Sequence, residues 1–121
     1  SVKILKEREK NDVNDPTKTM LANILTQQYF QRSAKLALTI EEEFQKLGRV
    51  SRQAQQRKKG IWVLQAVSMP AVLVETGFIS NPDEEDYLNS EQGQLEICDV
   101  ITKSVRIYKK SLENQIGVGG Q

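Results

Sequence analysis

Apolar residues recur three or four apart along the first half of the chain. Leu21, Leu25 and Tyr29 are followed by Leu36, Ile40, Phe44 and Leu47. That spacing marks one face of a long helix. Thr17 is its candidate cap, and Gly48 ends it, as glycine does just past a helix. Before it, Asn11 to Pro16 is dense in turn-forming residues and reads as a loop. Residues 1–10 are charged and could be a short helix or the stump of a longer one. The pattern changes at Ile61-Trp62-Val63-Leu64 and again at Ala71-Val72-Leu73-Val74-Glu75. Both are short apolar runs bounded by turn residues, and both predict strands; the second suits a strand buried on both faces of a sheet. Gln65 to Pro70 is too short for a parallel crossover, so the two strands are antiparallel neighbours or are not paired with each other.

Asn81 then predicts a helix cap, with Pro82 at the first helical position and Asp83, Glu84 and Glu85 in the first turn. Ser90 opens a last helix whose apolar stripe is Leu95, Cys98, Ile101, Val105, Tyr108 and Leu112. Gly117 to Gln121 reads as a flexible end. Two strands cannot form a sheet able to bury both faces of Val72 to Val74. The expected class is therefore α/β, with this chain as the back portion of a larger α/β/α domain. Such a piece would leave a sheet edge and an apolar face exposed, which predicts aggregation, oligomerisation or strand exchange.

Composition narrows the chemistry. With 17 basic and 16 acidic residues in 121, the net charge is +1. No global field then argues for nucleic acid or an anionic membrane. No apolar stretch approaches the roughly 20 residues that span a bilayer. Ser1 to Lys6 alternates charged with apolar residues, unlike a signal peptide, and the chain does not begin with methionine, so the native start could lie upstream. The single cysteine, Cys98, reads as a buried and inert thiol on its helical stripe. The chain has no histidine.

Glu75 is the sharpest chemical candidate. A carboxylate at the carboxyl end of a buried strand lies where open α/β sheets keep their ligands. Apolar flanks would partly desolvate it, raise its pKa and make it a competent base. A structural acid, paired with a lysine or capping a helix, fits the same position equally well. The acidic cluster Asp83 to Asp86 reads as a helix first turn rather than a metal site, because consecutive acids on a helix point in different directions. Arg49, Arg52, Arg57, Lys58 and Lys59 lack interleaved aromatics and are offset by Glu41, Glu42 and Glu43. They read as a solvated loop that could border a cleft and meet an anionic substrate group. Trp62 and Tyr108 fit the core rather than a stacking site. No glycine-rich phosphate loop, Ser-His-Asp set or paired-cysteine metal pattern is present.

The run Trp62-Val63-Leu64, then Met69 through Pro82, resembles the end of bacterial zinc-dependent N-acetylmuramoyl-L-alanine amidases. Asp83-Glu84-Glu85, Leu88, Ser90, Gly93-Gln94 and the final helix to Tyr108-Lys109 fit the same pattern, as does the long helix to Leu47. The resemblance is most specific in the central third and weakens before Thr17 and after Lys110. It implies a three-layer α/β/α sandwich around a mixed sheet, of which residues 1–121 would be the C-terminal portion. Residues 1–16 would be a remnant of an insert or linker, and residues 113–121 a flexible tail. It also implies cleavage of the amide between N-acetylmuramic acid and the L-alanine of the peptidoglycan stem peptide. The family holds one zinc ion with two histidines and a glutamate, none of which this chain supplies. By the match of Val74-Glu75-Thr76-Gly77-Phe78, Glu75 is the catalytic base and the one catalytic position present.

The resemblance further implies a periplasmic or extracellular place at the cell wall, with an export signal upstream. In some members a helical insert covers the zinc until an activator protein displaces it. Glu7 and Glu9 could belong to such an element, or to a charged solvent-facing helix. Alone, the chain is expected to be inactive. The rival reading is a non-catalytic amidase-like module that binds cell wall or a partner protein. A nucleic-acid-binding domain built on Arg49 to Lys59 is disfavoured by the near-zero net charge.

Overall fold

The computed structural model describes residues 15–56 and 59–119. Among these residues four helices follow one another: α1 (Pro16–Lys46), α2 (Trp62–Gln65), α3 (Pro82–Asn89) and α4 (Glu91–Gly119). The two long helices, α1 and α4, pack against each other, and α3 packs against the start of α4.

Local chemistry sets the boundaries. Asp15, one residue outside the helix, caps α1 by accepting from the Thr17 amide at 3.0 Å, and Pro16 takes the first helical position. The cap is thus Asp15 rather than Thr17, and Pro16 belongs to the helix rather than to the loop before it. At the other end Gly48 adopts φ 76°, the left-handed conformation that stops a helix where a side chain would be strained. Asn81 caps α3 as its sequence position suggests, accepting from the amides of Asp83 at 3.0 Å and Glu84 at 3.4 Å. Ser90 joins α3 to α4. Its hydroxyl donates to the Tyr87 carbonyl and accepts from the Gly93 amide, so one residue ends a helix and begins the next. α4 extends to Gly119, further than the sequence places its end.

Among the described residues, Ile40 of α1 and Ile97, Val100 and Tyr108 of α4 are the buried hydrophobic ones. Ser104, fully buried, satisfies its hydroxyl on the Val100 carbonyl at 2.6 Å, one turn back along its own helix. Glu43, 5% exposed, bridges Lys46 on its own helix at 2.6 Å and Lys103 on α4 at 2.9 Å. Hydrogen bonds from these two ammonium groups hold the Glu43 carboxyl below the usual carboxylate range, and Glu43 in turn raises Lys46.

Three expectations are overturned here. The α/β class is not what this chain adopts: the described residues contain helices and no strand. The run Ile61 to Leu64 is a helical turn, with the Leu64 and Gln65 amides donating to the Ile61 carbonyl and the Ala66 amide to that of Trp62. Ala71 to Glu75 is irregular, with no ladder on either side. The physical reason is common to both. Four or five apolar residues do not distinguish strand from helix by periodicity, and a strand needs a neighbour to receive its amides and carbonyls. With no neighbouring strand, the first run satisfies itself as a turn. In the second, the Ala71 amide is satisfied by the Ser33 hydroxyl of α1 at 2.9 Å. No sheet edge exists among the described residues, so none is available there for strand exchange.

The buried face of α4 is also displaced from the expected stripe. Gly93, Ile97, Val100, Ser104 and Tyr108 are buried, whereas Leu95, Cys98 and Val105 are exposed. Cys98 is therefore an exposed thiol, not a buried one. α4 is apolar over a broad arc, and only part of that arc is buried. Trp62, 70% exposed, is likewise not core, while Tyr108 is. The first half of α1 leaves Met20, Leu21, Ile24 and Leu25 exposed because α4 packs on its second half. No helix among the described residues is long and apolar enough to cross a membrane. The expectations for residues 1–14 lie outside the described residues.

Candidate catalytic segment around Glu75

Glu75 lies on the irregular segment between α2 and α3 and is exposed. The strand expected to carry it is not formed, and no sheet stands beside it among the described residues. Immediately after it the backbone turns through Thr76, Gly77 and Phe78, and here the packing is specific. The Arg49 guanidinium, one residue beyond Gly48, donates from Nη2 to the Thr76 carbonyl at 3.1 Å. Its Cζ lies over the Tyr87 ring, 4.0 Å from the ring centre, within the range of cation–π attraction. Arg52 lies similarly over Phe78, at 4.1 Å.

From the other side, the Phe78 amide donates to Glu84 Oε2 at 2.6 Å, and the Asn81 amide donates to the Phe78 carbonyl at 3.0 Å. Gly77 is enclosed by this arrangement. A Cβ there would stand 3.2 Å from Leu88 Cδ1 and 3.6 Å from both Arg49 Nη2 and Glu84 Oε2. Behind Arg49, the Tyr87 hydroxyl donates to Glu96 Oε2 at 2.7 Å, and Gln92 Nε2 donates to Glu96 Oε1 at 2.9 Å. Burial first, and then the bond to Glu96, raises the Tyr87 phenol, while the same bond lowers the Glu96 carboxyl, aided by Gln92.

The acidic cluster behaves as a helix first turn, with Glu84 also tying down the preceding turn. Within the basic stretch Arg49 and Arg52 each meet an aromatic ring, Arg52 and Lys59 are exposed as a solvated loop requires, and Arg57 and Lys58 lie outside the described residues. Arg49 is half-buried, and the aromatic partners missing from its own segment arrive from residues 78 and 87. A spacing rule confined to neighbours in sequence had no means of finding them. Ser51 also donates to the Glu41 carboxylate of α1, anchoring the start of this loop.

The residues present do not fit a zinc centre. The chain has no histidine, and no group of three metal-ligating side chains occurs among the described residues.

Residues 11–106 match the family of N-acetylmuramoyl-L-alanine amidases. The chain belongs to that family. It is 32% identical over 96 residues to the probable cell wall amidase LytH of Staphylococcus saprophyticus, covering 78% of this chain and 33% of that protein. A putative N-acetylmuramoyl-L-alanine amidase of Buchnera aphidicola is 32% identical over 107 residues, covering 84% of this chain and 47% of the relative. The probable cell wall amidase LytH of Staphylococcus aureus is 30% identical over 96 residues, again 78% of this chain and 33% of the other. The chain thus spans between a third and a half of the curated relatives it matches. No solved structure matches it significantly.

Proposed function

We propose that this chain is the C-terminal portion of a peptidoglycan amidase that cleaves the bond between the lactyl group of N-acetylmuramic acid and the L-alanine of the stem peptide. Glu75 is its general base. The observation that carries this reading is the Val74-Glu75-Thr76-Gly77-Phe78 motif, whose glutamate is exposed beside a turn anchored by Arg49 and Glu84. In the reaction Glu75 accepts a proton from water as its oxygen bonds to the amide carbonyl carbon. It then returns the proton to the alanine nitrogen as the carbon–nitrogen bond breaks. The products are a lactyl carboxylate and a stem peptide with a free amine.

With no histidine in the chain and no group of three metal-ligating side chains among the described residues, any zinc of the working enzyme is held by residues outside this sequence, and the chain alone is inactive. A peptidoglycan substrate places the working enzyme at the cell wall, in the periplasm or outside the cell. An activator protein acting through residues 1–16 belongs to the same reading.

The test compares release of stem peptide from muropeptides by the natural protein containing this chain with that by its Glu75→Gln variant. Loss of a general base is expected to lower kcat by about 10²–10⁴-fold, and chelation should abolish activity in the wild type. Activity retained in the variant would reduce Glu75 to a structural acid. A wild type inactive with zinc supplied would favour a non-catalytic wall-binding or partner-binding module instead.

A further inference from the structure

We infer that Arg49 is a positioning residue for the catalytic segment: it clamps the Thr76 carbonyl and so sets the path of the backbone that carries Glu75. This rests on the reading of Glu75 as general base. In a sheet, neighbouring strands would hold such a segment through its amides and carbonyls. Here no strand adjoins it among the described residues, and side chains take over that task. Arg49 Nη2 holds the Thr76 carbonyl at 3.1 Å, and Glu84 holds the Phe78 amide at 2.6 Å. The two grips come from opposite directions in sequence, one 27 residues before the turn and one six residues after it.

Arg49 is itself fixed at both ends. Its backbone follows Gly48 directly, so the end of α1 fixes where its side chain starts. The Tyr87 ring lies 4.0 Å from its guanidinium carbon, and the Tyr87 hydroxyl is anchored on Glu96 of α4. The chain α4–Tyr87–Arg49–Thr76 thus ties the turn beside Glu75 to the helical core. A guanidinium suits this place better than an ammonium, because only the planar group lies flat on a ring while donating from its edge.

The test uses the natural protein containing this chain, with Arg49→Gln, Arg49→Lys and Glu75→Gln compared on muropeptides. Displacing a catalytic group by about 1 Å can cost on the order of 10²-fold in rate. Arg49→Gln is therefore expected to lower kcat by roughly 10–100-fold with KM and melting temperature close to wild type. Arg49→Lys, which keeps a donor but not the stacked plane, should recover part of that loss. A purely structural arginine would instead lower the melting temperature and the active fraction together, and that result overturns the inference. So does a wild-type kcat in Arg49→Gln. Should Arg49→Gln fail to fold, Arg49→Lys decides: reduced kcat at wild-type KM supports the clamp, and wild-type kcat overturns it. Full activity in Glu75→Gln removes the general-base reading and this inference with it. Loss in Glu75→Gln alone, with Arg49→Gln unaffected, removes only the inference.

Discussion

Gly93 lies in the first turn of α4, buried beneath the end of α3, and its substitution sets two physical effects against each other. Helix propensity favours Gly93→Ala, since alanine is better than glycine in a helix by about 1 kcal/mol. Packing opposes it. A Cβ at this position would stand 2.0 Å from the Tyr87 carbonyl oxygen and 2.9 Å from the Ser90 hydroxyl. The first neighbour is backbone and cannot swing aside. Relief requires α3 and α4 to separate by about 1 Å, and overpacking of this kind typically costs about 1–3 kcal/mol. The same movement pulls the Gly93 amide from Ser90, a 3.0 Å bond whose loss as a cap costs about 1 kcal/mol more. The balance is a net destabilisation of about 1–3 kcal/mol, the reverse in sign of the propensity effect. Urea unfolding of wild type and variant, followed by helical circular dichroism, reads the difference as a lower midpoint at unchanged slope. A variant as stable as wild type, or more so, would refute the close junction of α3 and α4.

Two further perturbations probe the scaffold. Asn81→Ala removes the acceptor for the Asp83 and Glu84 amides and should cost about 1 kcal/mol in the same unfolding measurement; an unchanged midpoint would show that the cap contributes nothing. Glu43 gives a pH dependence. Lys46 and Lys103 depress its folded-state pKa, so its contribution is complete above the ordinary glutamate value of about 4.3 and is lost as pH falls through the depressed value. Unfolding midpoints should therefore fall more steeply in acid for wild type than for Glu43→Gln, and parallel acid limbs would exclude the triad as the cause.

What the sequence by itself determined is local in origin. The long helices of residues 16–46 and 91–119 follow from apolar spacing, the stop at Gly48 from its left-handed φ, and the start of α3 from Asn81 and Pro82, all within a few residues of the signal that encodes them. The motif around Glu75 was legible for the same reason, because its five residues are contiguous. Tertiary structure decided the rest. Whether Ala71 to Glu75 becomes a strand depends on a neighbour to complete its hydrogen bonds, and in this chain Ser33 of α1 takes the Ala71 amide instead. Which arc of α4 is buried depends on where α1 and α3 pack against it, not on the count of apolar residues along it. The pairing of Arg49 with Thr76 and Tyr87 joins residues 27 and 38 positions apart. Only folding brings such groups together, since periodicity carries no information about what meets across that distance.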